Sequence, residues 1–333
     1  MRVLVTGAAG HLGALVVARL ARAGHRVRAL DLPRRGSMRR LAAHGAAVEP
    51  FPGDVGDRRR LAEAAVGVDA IAHLAGVLPP RSERSPALAR RVNDEGTAAL
   101  VDAAARHAPA ARLVLASSFS VYGPEQAGRG LAGPDSPTAA TDVYTTTKLA
   151  AEARVRDSTL DWTILRIAAS IEGSAAAVDP LALRLMFEVD PEQPIELVHG
   201  EDVATAVCRA LTAPGASRQV LPIGGGPSCR LRQRELFALT FGALGLDALP
   251  TRAHGRGPYY TCWLDTAASQ ALLGYQERGL EDIRRDLVTN LGVRAALARL
   301  ARPLVRRVLL RHSGPYRGAP PRPTWQALID AGF

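Results

Sequence analysis

Val3-Leu4-Val5-Thr6-Gly7-Ala8-Ala9-Gly10-His11-Leu12-Gly13 joins an apolar run, three glycines spaced by three, and the start of an alanine-rich amphipathic stretch. Such a succession reads as strand, tight turn and helix. Glycines at this spacing allow a sharp turn, close approach of the backbone to an anionic ligand, and close packing of helix on strand. The unpaired N–H groups of a helix start carry partial positive charge, which favours a phosphate there. A glycine triplet alone is weak, because any glycine-rich turn matches it. Its place between a strand and an amphipathic helix gives it weight.

Working outward, short apolar runs alternate with alanine-rich stretches over the first ~170 residues, as expected of a parallel sheet with helices on both faces. Strands are predicted at Val3–Thr6, Val27–Leu30, Ala47–Glu49, Ala70–His73, Arg112–Ala116 and Trp162–Arg166. Helices are predicted at Leu12–Ala23, Arg58–Ala65, Ala87–His107 and Val143–Arg156. The strands are almost wholly apolar, which suits burial on both faces. The expected fold class is α/β, a Rossmann-type doubly wound parallel sheet over residues 1–170. A smaller, irregular C-terminal region, 171–311, is expected to be intertwined with it and to bind the substrate. It holds a strand near Gln219–Ile223 and helices near Arg232–Leu244, Thr266–Leu273 and Glu281–Leu300. A proline-rich tail, 312–333, with Tyr316 and Trp325, either packs on the body or hangs free.

The glycine turn makes Gly7, Ala9, Gly10, His11, Leu12 and Gly13 candidates for holding a pyrophosphate. Asp31 ends the second predicted strand about 20 residues on, where a carboxylate accepts from adenosine-ribose hydroxyls. A carboxylate repels a 2′-phosphate, so NAD is favoured; Arg34 and Arg35 keep NADP open.

The chain has 333 residues and a net charge of +10, yet no nucleic-acid-binding signature accompanies its basic residues, so no nucleic-acid partner is expected. Arg34, Arg35, Arg39 and Arg40 form one basic cluster, and residues from Arg294 to Arg311 a second. Both read as solvated faces. Leu300, Leu304, Val308 and Leu309 recur at helical spacing, which suits an ordinary packed helix as well as one that binds an anionic surface; no stable membrane association is expected. Cys208, Cys229 and Cys262 lack metal-ligand or disulfide spacing. No metal site and a cytoplasmic location are expected. Of 42 basic residues only Lys148 is a lysine. Where arginine serves, arginine is present, so this position needs a compact ammonium on a flexible stem.

Tyr144-Thr145-Thr146-Thr147-Lys148 sets a phenol and that ammonium on one helix face, four residues apart. An unaided phenol titrates near pH 10 and is a poor base at neutrality. A nearby ammonium favours the phenolate and is expected to lower the tyrosine's pKa.

Together these motifs resemble the short-chain dehydrogenase/reductase superfamily, in its extended branch of NAD-dependent epimerases and dehydratases. The resemblance covers about residues 1–290. Thr6–Gly13 resembles the TGxxGxxG loop; Gly53-Asp54-Val55 is similar to the turn that holds the adenine. His73-Leu74-Ala75-Gly76 resembles the strand end under the nicotinamide ribose. Val92-Asn93-Asp94-Glu95-Gly96-Thr97 looks like the NVxGT segment, and Ser117-Ser118-Phe119-Ser120-Val121-Tyr122-Gly123 like SSxxVYG. The resemblance implies that Tyr144 transfers a proton, Lys148 holds the nicotinamide ribose, and Ser118 hydrogen-bonds the reacting oxygen. It also implies cofactor contacts from Asp54, Val55, Leu74, Ala75 and Asn93, a structural role for Tyr122, and a homodimer.

Departures narrow the chemistry. Phe119 and Ser120 replace the acidic pair of dehydratase relatives, and Ala169 replaces an asparagine that anchors nucleotide-sugars. An alanine makes no such side-chain hydrogen bond. The expected activity is hydride transfer at a secondary alcohol or ketone of a small molecule that is not nucleotide-linked. An epimerase working through a transient ketone and a non-catalytic dinucleotide sensor remain the alternatives. Phe119, Arg166, His199, Tyr259 and Tyr260 are the candidates for the substrate side.

Overall fold

The computed structural model describes residues 1–171, 179–246, 249–322 and 324–330. In chain order the strands are β1 (Arg2–Thr6), β2 (Arg26–Asp31), β3 (Val48–Pro52), β4 (Ala70–His73), β5 (Arg112–Ser118), β6 (Asp161–Ile167), β7 (Pro194–Glu196), β8 (Gln219–Ile223) and β9 (Arg230–Arg232). The helices of the first part are α1 (His11–Arg22), α2 (Arg35–Ala42), α3 (Arg58–Ala65), α4 (Arg81–Arg84), α5 (Pro86–Ala89), α6 (Gly96–His107) and α7 (Val143–Arg156). Those of the second are α8 (Pro180–Glu188), α9 (Gly200–Ala210), α10 (Gln233–Ala243), α11 (Ala267–Leu273), α12 (Leu280–Leu291), α13 (Val293–Leu300), α14 (Arg302–His312) and α15 (Trp325–Asp330).

Seven strands form one sheet in the order β3-β2-β1-β4-β5-β6-β8, every pairing parallel. Its last strand comes from beyond residue 170, so the second half of the chain builds part of the first half's sheet. Strand residues alternate between two cores. Val3, Val5, Val114 and Leu165 pack on α1 and α9, whereas Leu4, Leu113, Leu115 and Ile164 pack on α3, α6 and α7. Both faces are thus covered, as the all-apolar strands require. The strand order reverses between β1 and β4, opening a crevice at their carboxyl ends, the usual place for a ligand in such sheets.

Several predicted bounds change. Helix Ala87–His107 is realised as α5 and α6 joined by a π-helical stretch, Arg90–Glu95. Such widened turns recur at functional sites. The predicted helix over Glu281–Leu300 divides at Gly292, whose φ of +50 admits no regular helix. β5 runs two residues further than predicted and carries Ser118 at its tip.

The tail, as far as it is described, packs on the body. Trp325 and Leu328 are buried with Leu181 and Leu185 of α8 and with Tyr260. The reading of α14 as an ordinary packed helix needs correction. Leu309 is buried, but Leu300, Leu304 and Val308 face outward. Only one face of this amphipathic segment is used by the body, and period alone does not say which face.

Candidate active site

Gly7 has φ +68, and a Cβ there would meet the Ala75 backbone at 2.8 Å. At Gly13 a Cβ would lie 2.0 Å from the Gly7 carbonyl oxygen. Side chains at these positions would fill the concavity or break the turn, so the loop is a bare backbone cradle at the N-terminus of α1. Asp31 braces it: one carboxylate oxygen accepts from Ala9 N at 2.8 Å and the other from Leu32 N at 2.7 Å. Gly10 supplies no side-chain cap to α1, leaving that helix start for an anion. These features fit a dinucleotide.

A directed chain of hydrogen bonds holds the neighbouring strand ends. Ala75 N–H donates to Thr6 Oγ1, which donates to His73 Nδ1 at 2.6 Å. His73 Nε2–H donates to Thr97 Oγ1 at 2.9 Å, and Thr97 donates to the Asn93 carbonyl. This order requires the neutral Nε2–H tautomer. Burial, with Lys148 nearby, pushes His73 down to about 3, so the ring stays neutral. Leu74 N donates to the Thr6 carbonyl, joining the same frame.

Helix α7, which carries Tyr144 and Lys148, is fixed at its first turn. Asp142 and Thr145 form a capping box, with Thr145 N donating to Asp142 Oδ1 at 2.8 Å. Glu83, 61 residues upstream, accepts from Val143 N and Tyr144 N, both at 3.0 Å. Three orphan donors of the helix start are thereby satisfied. Burial raises the pKa of both carboxyls.

Tyr144, Lys148 and Ser118 are all buried, the first two on α7 and the third at the tip of β5, against which α7 packs. Lys148 Nζ donates to the Ala116 carbonyl at 2.5 Å, and burial lowers its pKa to about 8. The Ser118 hydroxyl lies beside the Tyr144 phenol. It also bonds Ser120 Oγ at 2.8 Å and accepts from Ser120 N. The expected lowering of the tyrosine's pKa is not found: burial pushes Tyr144 up to about 12, with Ser118 opposing and Asp142 adding to the rise. Loss of hydration dominates, while the Lys148 ammonium is engaged by the Ala116 carbonyl.

Other candidates fall elsewhere. Asn93 spends its amide on the protein, donating to the Val77 carbonyl and to Thr147 Oγ1 and accepting from Val77 N. It ties α7 to the loop after β4. Arg166 is engaged within the protein: it grips Glu152 through Nε and Nη2 at 3.1 and 2.9 Å and stacks on Tyr122. Breaking such a buried pair typically costs ~3–5 kcal/mol. His199 is a helix cap: Nδ1 accepts from Glu201 N, and Nε2 faces Asp286 at 3.1 Å. Tyr122 donates to the Gly133 carbonyl and is structural. Asp54 turns the β3 exit by accepting from Gly56 N, with Val55 buried behind it.

Phe119 is buried beside Ser118. Tyr259 stacks on Tyr260 at 4.1 Å, and Trp325 Nε1 donates to the Tyr260 hydroxyl at 2.8 Å. The Asp142 carboxylate is near enough to Tyr259 and Tyr260 to raise both their pKa values, so this aromatic group stands near the N-terminal end of α7. Glu83, Asp142 and Trp325 were not read from sequence as site residues. The Asp142–Thr145 spacing was a legible cap signal, whereas the partners of Glu83 and Trp325 are long-range.

A family profile described as the NAD dependent epimerase/dehydratase family matches residues 3–224. The chain is 29% identical over 265 residues to a (4-alkanoyl-5-oxo-2,5-dihydrofuran-3-yl)methyl phosphate reductase from Streptomyces griseus, covering 77% of this chain and 82% of that one. Sterol demethylase protein B from Methylococcus capsulatus is 40% identical over 123 residues, which are 37% of this chain and only 36% of that relative's length. A 3 beta-hydroxysteroid dehydrogenase/Delta 5-->4-isomerase from Mycobacterium tuberculosis is 38% identical over 160 residues, 45% of this chain and 41% of that one. Among solved structures, a dTDP-glucose 4,6-dehydratase from Streptomyces venezuelae with NAD bound has TM-score 0.73 and 26% identity, covering 87% of this chain and 97% of that one. A short-chain dehydrogenase/reductase superfamily protein from Agrobacterium tumefaciens, also with NAD, has TM-score 0.73 and 22% identity over 91% and 99% of the two chains. With its seven-stranded parallel sheet, its glycine cradle and this profile match, the chain belongs to the NAD dependent epimerase/dehydratase family and is an NAD-dependent enzyme.

Proposed function

We propose that the enzyme interconverts a secondary alcohol and a ketone on a small molecule that carries no nucleotide, with Tyr144 as general acid/base. The observation that carries this reading is Ser118 beside the Tyr144 phenol, with Lys148 one helical turn on in α7, where Phe119 and Ser120 stand in place of an acidic pair. Gly7, Ala9, Gly10, His11, Leu12 and Gly13 would hold the pyrophosphate and Asp31 the adenosine ribose. Asp54 and Val55 would border the adenine, with Leu74 and Ala75 under the nicotinamide ribose beside Lys148. When bound, NAD supplies the hydride chemistry.

In the reductive direction Ser118 donates to the carbonyl oxygen. Ser120 N–H donates to Ser118 Oγ, and the Ser118 proton is available for that task when the Ser120 hydroxyl is the donor in the bond between the two side chains. Tyr144 protonates the oxygen, and Lys148 stabilises the phenolate left behind. A phenol raised to about 12 is fully protonated at neutral pH, which suits an acid in ketone reduction. Apolar neighbours support an apolar substrate: Phe119 is buried next to Ser118, and Tyr259 and Tyr260, packed with Trp325, lie near Asp142 at the start of α7. The relative from Streptomyces griseus is named a reductase, and none of the three relatives is named for a sugar nucleotide. The three cysteines are free, which fits a reducing, cytoplasmic compartment, and a homodimer belongs to the same reading through the resemblance.

Oxidation of NADH by a panel of ring and side-chain ketones, against sugar nucleotides, tests this. Turnover is expected with the ketones and not with the sugar nucleotides; the reverse would overturn the reading. The pH profile of kcat/KM for reduction should be flat through neutrality. Above about 8 it should fall, because Lys148 loses its charge there while Tyr144 keeps its proton. A rate still climbing through pH 9 would contradict the assignment of Tyr144 as acid.

A further inference from the structure

Between Leu287 and Ile329 the chain has eight arginines, at 294, 299, 302, 306, 307, 311, 317 and 322, and no Asp or Glu. Subtracting these eight from the net charge of +10 leaves +2, so most of the chain's excess charge sits in one stretch. Within it, α14 turns Val305, Leu309 and Leu310 inward onto the cluster around Phe187, Phe237 and Phe241. A second set of apolar side chains is left outside: Val293 at 79% exposed, Leu297 at 63%, Leu300 at 84%, Leu304 at 63% and Val308 at 43%. Val293, Leu297 and Leu300 share one face of α13 by their spacing, as Leu304 and Val308 do on α14. Single exposed leucines are ordinary; a run of five along two consecutive helices is not.

Beside this stripe lies an open cleft of about 390 Å³ walled by Arg306, Arg307, Arg311, Arg317 and Tyr316, with no carboxylate in its lining. Among the described residues, Arg302, Arg306, Arg307 and Arg311 have no carboxylate at ion-pair distance. The helices have 8 and 11 residues, far short of the ~20 that cross a bilayer. No helix among the described residues is long and apolar enough to span one.

We propose that α13 and α14 form a peripheral membrane-binding surface, which lays the enzyme on an anionic bilayer. The exposed Val and Leu side chains enter the headgroup–acyl boundary, while the flanking arginines reach the lipid phosphates. This replaces the expectation, drawn from sequence, of an ordinary packed helix without membrane association. Charge decides against a second copy of the chain as occupant, since a two-fold contact would set the four arginines of α14 against their own copies. The apolar stripe decides against nucleic acid, which would use the arginines and leave the leucines in water. An anionic lipid surface uses both.

The test is co-sedimentation of the full chain with phosphatidylglycerol–phosphatidylcholine vesicles and with pure phosphatidylcholine vesicles. Binding is expected to the anionic vesicles at low ionic strength, and to weaken as salt is raised. Leu300→Glu with Leu304→Glu should weaken it by at least about tenfold, with NAD binding and the circular-dichroism spectrum retained. Arg306→Ala with Arg307→Ala and Arg311→Ala should do the same. Should the double glutamate variant not fold, Leu300→Gln alone is the substitute, since that side chain is 84% exposed. Three outcomes overturn the proposal: no sedimentation with anionic vesicles at low salt, binding insensitive to the leucine changes, or a concentration-dependent dimer abolished by those same changes.

Discussion

Tyr144→Phe is expected to lower turnover by about two to four orders of magnitude, the usual contribution of a positioned general acid/base. NAD affinity should stay within a few-fold of the parent. The substitution removes one hydroxyl and keeps the buried ring, whose backbone remains fixed by Glu83 through Tyr144 N and by the Asp142 cap in the same turn. The loss therefore falls on proton transfer and not on the fold. Steady-state kinetics with a titration of NAD separates the two, and unchanged turnover would contradict the assigned role.

Gly13→Ala is expected to abolish NAD binding. The new Cβ would stand 2.0 Å from the Gly7 carbonyl oxygen and 2.9 Å from backbone atoms of Ala8. Neither is a flexible side chain, so the glycine turn itself must shift. Forcing volume into a packed site costs about 1–3 kcal/mol, and here the strain falls on the cradle. Gly128→Ala is the matched control, because a Cβ there meets nothing within 4 Å. Isothermal titration should register loss of binding in the first variant and parental affinity in the second. Parental affinity in both would remove the cradle from the account.

The parts of the fold that were legible in the sequence are those fixed by local constraints. β1, the glycine turn and α1 follow from steric demands within eleven residues. α7 was legible to the residue at both ends, Val143–Arg156. α2 was missed, since it is arginine-rich and buries only Leu41. α9 was missed as well, because its cap is His199, an unusual residue for that position.

The site divides along the same line. Ser118 and Tyr144 lie side by side, and Lys148 sits one turn along α7 with its ammonium on the Ala116 carbonyl. Asn93, Arg166 and His199 are occupied by partners that no local pattern announces: Thr147, Glu152 and Asp286. The pKa of Tyr144 was misread for a related reason. The ammonium is visible in sequence, four residues away, whereas desolvation of the phenol is a property of the whole packed surround. The outer face of α13 and α14 shows the same limit, for a helical apolar period does not tell an inward face from an outward one.

The most direct measurement is to denature freshly purified protein and identify any released nucleotide by mass spectrometry, followed by titration of the native protein with NAD and NADH. A dehydrogenase or reductase exchanges its cofactor at each turnover, so the expected result is a largely empty protein that binds added NAD and NADH reversibly. One NAD per chain, retained through purification and not displaced by added NADH, would contradict the account and identify an epimerase that recycles its cofactor internally.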